Sequence, residues 1–455
     1  MASMRNQRAG LRPARALFRS GLLAVTLAAA PAVGHAAEPF SSAAYLAGTA
    51  GSSSAALGSD QTVAAFYNAR ERRPLWLAQG PGAAEQLIAL LASSRLDGLD
   101  PDKFKPGSLE RAVRSADSGN PRAVAKADSL LSQAFVNYVR QLRDTSQSGI
   151  VYGDPAVRPL PATPRAILEE AARAPDIAGY VQTMGWMNPL YGQLRQTALQ
   201  QNVLADRGAA DLVARNLQRA RVLPVDRGQK YVVVDTAAAR LYMFEGGRPV
   251  DSMKVVVGKP TQPTPLLASA IRNVVLNPYW NVPDDLTAER IAPRVVGEGM
   301  KYFTSKRYQV LSDWGDSPRL LDARTIDWAA VRDGRAQVRV RQLPGPDNAM
   351  GRMKFTLPND LGIYLHDTND PGKFDEAARN FSGGCVRLEA APRLARFLFG
   401  KRPTPKGQAP EQKVELPAPI PVYMTYLTAT AQDGTLVFRD DVYHRDGGAA
   451  RLASR

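Results

Sequence analysis

At 455 residues the chain is too long for one small core, and two or three domains are expected. A single cysteine rules out an internal disulfide framework, and one cysteine with three scattered histidines supplies no cluster of metal ligands, so neither metal nor cofactor is expected. The formal charge of +15 fits either an anionic partner or a strongly solvated basic surface.

Part of that charge stands at the start. Arg5, Arg8, Arg12, Arg15 and Arg19 occur without any acid, the apolar run Gly21 to Val33 follows, and Gly34-His35-Ala36 is an A-x-A-like end. This order describes a signal peptide over residues 1–36, with Ala36 the last residue removed. The apolar run is short for a membrane span, so contact with the membrane is expected only through this segment, if it stays uncleaved. Loss of its five arginines leaves about +10. Export to the periplasm or cell envelope follows, and nucleic acid is excluded as a partner: export separates the two, and no recognised binding motif is present.

Residues 37–60 are rich in Ala, Ser and Gly and read as a flexible linker. A helical domain is expected over 61–225. Leu87, Ile88 and Leu91 share one helical face, and Leu131, Phe135, Tyr138 and Leu142 recur at i, i+4, i+7 and i+11. Between them Gly98 ends one helix, while Asp100 caps the next with Pro101 in its first position. The proline-rich passage Pro155 to Pro164 interrupts the helices, which resume from Ile167 to about Arg221.

After Pro224 the period changes to that of strands. Tyr231 to Val234, Leu241 to Phe244 and Val250 to Val257 are β-rich, with a turn at Gly246-Gly247. Ile271 to Leu276, Met353 to Leu357 and Ile363 to Leu365 continue the pattern, and Val422 to Tyr443 completes the sheet before a disordered tail over 447–455. The mixed stretch from about 284 to 343 is an insert in this second, mostly β domain, which spans 229–446. The fold class is therefore α+β, with an all-helical part followed by a mostly β one.

The chemistry concentrates between Ile363 and Glu389. Cys385, alone in an exported chain, follows Ser382-Gly383-Gly384, and Arg387 stands two positions later. Glycines before a thiol expose backbone N–H groups, and the apolar positions Leu394, Phe397 and Leu398 suggest a helix soon after whose N-terminus favours a thiolate. A strand over Gly362 to Leu365 delivers His366 at its end. Base, thiol and adjacent cation describe an activated cysteine nucleophile, against the plainer reading of a small buried hydrophobe beside a loop histidine.

His366-Asp367-Thr368 with Phe381-Ser382-Gly383-Gly384-Cys385-Val386-Arg387-Leu388 resembles the HxT…SxGC[IV]RL pattern of the bacterial L,D-transpeptidase family. Val257 to Pro260, Asn277 to Pro283 and Gly345 to Gly351 are similar to its large, multidomain branch, as are Leu96 to Asp102 and Tyr138 to Asp144 to that branch's helical scaffold. Many members carry a second histidine where this chain has Gly383, which leaves His366 as the imidazole of the site unless His444 folds back. Many relatives also insert a small peptidoglycan-binding helical module, of which no copy is found here.

The resemblance implies that 284–343 is a capping subdomain and that the partners are peptidoglycan stem peptides. Cys385 is then the nucleophile, His366 the general acid and base, and Gly384 part of a backbone oxyanion hole, with Arg387 stabilising charge. Ser382, Asp367 or a backbone carbonyl orients His366, and Tyr279, Trp280 and Asn348 shape the substrate groove. The reaction implied is 3→3 cross-linking through a thioester, with release of D-alanine from a tetrapeptide stem. A hydrolase on the same dyad and a non-catalytic envelope-binding protein remain the alternatives.

Overall fold

The computed structural model describes residues 59–225, 228–315 and 317–447. The segment read as a signal peptide, the linker up to residue 58 and the tail beyond Gly447 lie outside the described residues. No helix among the described residues is long and apolar enough to cross a membrane.

Eight helices form the first part: α1 (Ser59–Ala69), α2 (Gly82–Ala92), α3 (Pro106–Ala116), α4 (Pro121–Arg143), α5 (Pro164–Ala172), α6 (Ile177–Gln182), α7 (Pro189–Gln200) and α8 (Arg207–Ala220). Their starts are set by local chemistry. Asn120, Thr163, Asn188 and Asp206 each accept backbone N–H groups at an N-terminus, and proline occupies the first position of α4, α5 and α7. Asp100 caps a single turn of 3₁₀-helix, Pro101–Phe104, in place of the expected longer helix. The α4 stripe Leu131, Phe135, Tyr138 and Leu142 is fully buried.

A charge sits inside this helical core. Asp97 is fully buried and accepts from Tyr138 Oη and Tyr191 Oη at 2.7 Å each and from Arg195 Nε at 2.8 Å. Arg195 is only 4% exposed, so the carboxylate and guanidinium depend on each other for solvation.

The second part is a closed barrel of eight strands: β1 (Tyr231–Asp235), β2 (Arg240–Glu245), β3 (Arg248–Gly258), β4 (Leu267–Leu276), β5 (Met353–Thr356), β6 (Leu365–His366), β7 (Val386–Leu388) and β8 (Gln412–Thr425). The order is β4-β5-β6-β7-β3-β2-β1-β8, and β8 returns to pair with β4, so no edge is left open on that path. β6–β7 and β1–β8 are parallel, and the remaining barrel pairs are antiparallel.

Alternation along the strands divides the barrel wall into two faces. Val232, Val234, Met243, Val255, Ile271, Phe355, Leu365 and Val386 belong to the interior core. Tyr231, Val233, Phe244, Ala268 and Tyr423 belong instead to the core of the helices, so scaffold and barrel share buried surface. The tail departs from expectation. β8 closes the barrel, whereas Ala429–Gln432 and Thr435–Phe438 form a separate hairpin packed on α7 and α8.

The insert has its own four-stranded sheet, ordered Trp280–Val282, Arg339–Gln342, Tyr308–Leu311 and Leu320–Leu321. Ile291, Val295, Phe303, Val310, Trp328 and Val340 give it an independent core.

Asp97→Ala is expected to destabilise the protein by about 3–5 kcal/mol, because Arg195 is left buried without its partner. Urea unfolding followed by circular dichroism measures it, and a loss below about 1 kcal/mol contradicts the buried pair.

Candidate active site

Strand register places the reactive residues. On β6 and β7 His366 lies opposite Arg387 and Leu365 opposite Val386, while Lys354 of β5 lies opposite His366. Residues opposite each other share a face, so Lys354, His366 and Arg387 form one row on the outer wall. Cys385 precedes Arg387 by two residues, just ahead of β7, and the charges of Lys354 and Arg387 both act on its thiol, which places it beside this row.

The turn carrying Cys385 is held from beneath. Ser382 Oγ donates to the Cys385 carbonyl at 2.6 Å and accepts the Gly384 N–H at 3.1 Å. Thr264 Oγ1 donates to the Gly384 carbonyl at 2.7 Å and accepts the Gly258 N–H at 2.9 Å. Gly384 has φ +116°, which a side chain rarely adopts, and an added Cβ would stand 3.2 Å from Ile363 Cδ1. From the far side, Tyr443 Oη donates to the Gly258 carbonyl at 2.7 Å and Arg445 to the Thr264 carbonyl at 3.1 Å.

His366 is oriented by its own chain. Its Nδ1 lies 2.6 Å from the Asp367 carbonyl, and since a carbonyl only accepts, Nδ1 carries the proton and Nε2 keeps its lone pair. Asp367 is fixed in turn: its N–H donates to the Met353 carbonyl at 2.8 Å and its Oδ2 accepts the Arg352 N–H at 2.9 Å. Gly351, at φ +63°, makes room for it, because a Cβ there would fall 2.5 Å from the Asp367 Cβ.

The resting protonation states follow from burial and charge. Burial, Arg387 and Lys354 push the His366 imidazole down to about 3, against the opposing pull of the Asp367 carbonyl. Burial pushes the Cys385 thiol up, against the Tyr364 backbone and the cations Lys354 and Arg387. The thiol donates to the Gly362 carbonyl at 3.5 Å and is half-buried. Both groups are therefore neutral at pH 7, and the site is a thiol beside a neutral imidazole rather than a thiolate–imidazolium pair.

Several expectations change. Val386–Leu388 is a strand and the helix begins only at Ala391, so no helix N-terminus faces the sulfur. The Gly384 N–H is engaged by Ser382 and is not free for an oxyanion, whereas the Cys385 N–H has no hydrogen-bond partner among the described residues. Of the three candidates for orienting His366, the backbone carbonyl of Asp367 makes the contact, and Ser382 organises the cysteine turn instead.

Asn348 is buried and saturated, donating to the carbonyls of Pro278, Gln342 and Leu343 and accepting the Met350 N–H, so it ties a turn and offers nothing to a substrate. Trp280 packs on the insert's core, and Tyr279 lies under Arg341 with its ring 4.3 Å from the guanidinium. Arg387 is half-buried, its Nε has no partner, and Glu389 accepts the Lys254 N–H instead of pairing with it. His444 is exposed on the C-terminal segment between Tyr443 and Arg445, and no contact joins it to Cys385 among the described residues. Lys354 and Thr264 were not singled out from the sequence. The alternation of Met353-Lys354-Phe355 already puts the lysine on a non-core face.

Because the thiol is held up and the imidazole down, alkylation of Cys385 by iodoacetamide should rise with pH through about 8.5 and above, with no inflection near 6.5. Lys354→Met removes a charge that favours the thiolate and should move the profile further up. A rate plateau reaching down to about pH 5 would contradict the neutral pair.

A family model described as the L,D-transpeptidase catalytic domain matches residues 229–414, and one described as a scaffold domain matches 61–197. A protein of Haemophilus influenzae, provisionally named an L,D-transpeptidase, is 30% identical over 401 residues, which cover 84% of this chain and 78% of that protein. Among solved structures, the L,D-transpeptidase from Mycobacterium smegmatis is 14% identical over 43% of this chain and 58% of its own, with a TM-score of 0.21. The Ldtfm-avibactam carbamoyl enzyme is 15% identical over 45% of this chain and 51% of its own, with a TM-score of 0.22. Likeness to these two structures is slight. The identity carried across most of both chains, together with the matched scaffold and catalytic domains, places this protein in the L,D-transpeptidase family.

Proposed function

We propose that the protein is an exported peptidoglycan L,D-transpeptidase that forms 3→3 cross-links through a thioester on Cys385. The observation that carries this reading is the placing of the Cys385 thiol beside the Lys354, His366 and Arg387 row, with Nδ1 of the imidazole tied to a carbonyl and the Nε2 lone pair left to accept a proton. Cys385 is a diagonal neighbour of His366, and such neighbours stand about 7–8 Å apart, a gap that side-chain rotation or one water closes for proton transfer.

Cys385 Sγ attacks the carbonyl carbon of the third residue of a tetrapeptide stem as its proton passes to His366 Nε2. The oxyanion meets the free Cys385 N–H and the cations Arg387 and Lys354, and one such donor is commonly worth about 3–4 kcal/mol. Collapse breaks the peptide bond, His366 returns the proton to the departing D-alanine nitrogen, and a thioester remains. The side-chain amine of a second stem then attacks it, gives its proton to His366, and the thiol is restored as the new amide forms.

The insert stands beside the site and supports transfer over hydrolysis. Gln262 Nε2 donates to Asp285 Oδ2 at 3.2 Å, and Arg290 raises the electrostatic cost of the Arg387 charge. A cap here limits water at the thioester. Export rests on the basic and apolar pattern of residues 1–36.

Incubation of the mature protein with tetrapeptide muropeptides, followed by mass analysis, should give dimers that have lost D-alanine. Cys385→Ala should abolish them, and His366→Ala should slow them by about 10²–10⁴-fold. Shortened monomers without dimers would make the protein a hydrolase, and unchanged stems a binding protein.

A further inference from the structure

A cavity of about 750 Å³ opens between the root of the insert, the start of β5 and the 402–410 loop. Three arginines from separate parts of the chain line it: Arg307 from the insert, Arg352 just ahead of β5, and Arg402 after the helix Ala391–Phe399. Tyr279 and Gln408 share the wall, and no acidic side chain does. Among the described residues none of the three guanidiniums is in an ion pair.

The acids next to the cavity lie outside its wall, and only Asp347 among them is in an ion pair. Glu411 accepts the Tyr279 N–H at 2.6 Å, Asp367 the Arg352 N–H at 2.9 Å, and Asp347 pairs with Lys306 at 3.1 Å. Arg307 packs against Gly345: a Cβ there would lie 2.5 Å from its Nη1. A second cavity of about 750 Å³, on the scaffold, differs in kind. There Arg143 is tied to Glu170 at 3.3 Å, Arg158 lies over the Tyr152 ring, and Asp144 stands in the wall.

Three like charges in a wall that holds no acid favour an anion, and the planar fork of arginine matches a carboxylate. The position suits one ligand. Arg352 is two residues from Lys354, which is opposite His366, and Cys385 lies level with Tyr364, two residues the other way and one strand further. Four residues at about 3.3 Å and two strands at about 4.8 Å put the cavity roughly 16 Å from the nucleophile. From the attacked carbonyl an extended stem reaches about 10 Å along its first three residues, and the long arginine side chains cover the remainder.

We propose that this cavity is a carboxylate-binding subsite for a peptidoglycan stem peptide, with Arg307, Arg352 and Arg402 as its specificity-determining residues. This rests on the transpeptidase reading above. The carboxylates come from the donor stem held on Cys385 or from the acceptor stem, and both present the same chemistry to the arginines.

The test uses the full chain carrying Cys385→Ala and a synthetic tetrapeptide with a diamino acid at position three, compared by calorimetry with the same peptide amidated at its carboxylates. The acidic peptide should bind about tenfold more tightly or better, with the advantage shrinking as salt rises. Adding Arg352→Ala and Arg402→Ala should abolish the discrimination, and the double lysine variant should restore part of it, which separates charge loss from misfolding. In the otherwise native enzyme, the same double alanine variant should raise KM for the donor or for the acceptor with little change in kcat, and which one rises names the stem. Equal binding of the two peptides, or discrimination that survives loss of the arginines, overturns the subsite. Failure of the transpeptidase reading is seen separately: discrimination by the arginines would persist while the muropeptide assay gives no dimers.

Discussion

The account depends on one hydrogen bond, from His366 Nδ1 to the carbonyl of the next residue. It fixes the tautomer, leaves the Nε2 lone pair free of a proton, and needs no acidic third member. The carbonyl is rigid because Asp367 is itself held by Met353 and Arg352 and fits only beside a glycine at 351. An imidazole so placed, buried between two cations, resists protonation and rests neutral. The thiol beside it is likewise un-ionised at rest, because burial outweighs the pull of the two cations.

The barrel makes that arrangement possible. Its interior is filled by one side of every strand, part of the outer wall is covered by the helical scaffold, and another part carries Lys354, His366, Arg387 and Cys385. The scaffold reaches the site by a second route as well. Arg219 of α8 pairs with Asp446 at 2.7 Å, and the neighbouring Tyr443 and Arg445 fasten the loop whose Thr264 supports Gly384. Helical core, C-terminal segment and cysteine turn thus form one mechanical chain.

Much of this was legible in the residues. The switch from helical to strand period after Pro224, the turn at Gly246-Gly247 and the caps at Asp100 and Pro101 come from local rules, and the structure carries them out. What was not legible depends on register and on distant partners. Val386-Arg387-Leu388 is too short for its period to separate strand from helix, so the expected helix dipole at the thiol was misplaced. The glycines before Cys385 suggest open N–H groups, but only the fold shows Ser382 occupying that of Gly384. Asn348 belongs to a motif beside the site, and its bonds to its near neighbours Gln342, Leu343 and Met350 and to the distant Pro278 show only in the folded turn.

The most direct measurement is the intact mass of the protein after brief mixing with a tetrapeptide stem and acid quenching, with the adduct mapped by digestion. The account predicts a stem fragment lacking its terminal D-alanine, attached to the peptide that contains Cys385 and formed far more slowly when His366 is replaced. Turnover with no adduct, an adduct on another residue, or an adduct forming equally fast without His366 would contradict it.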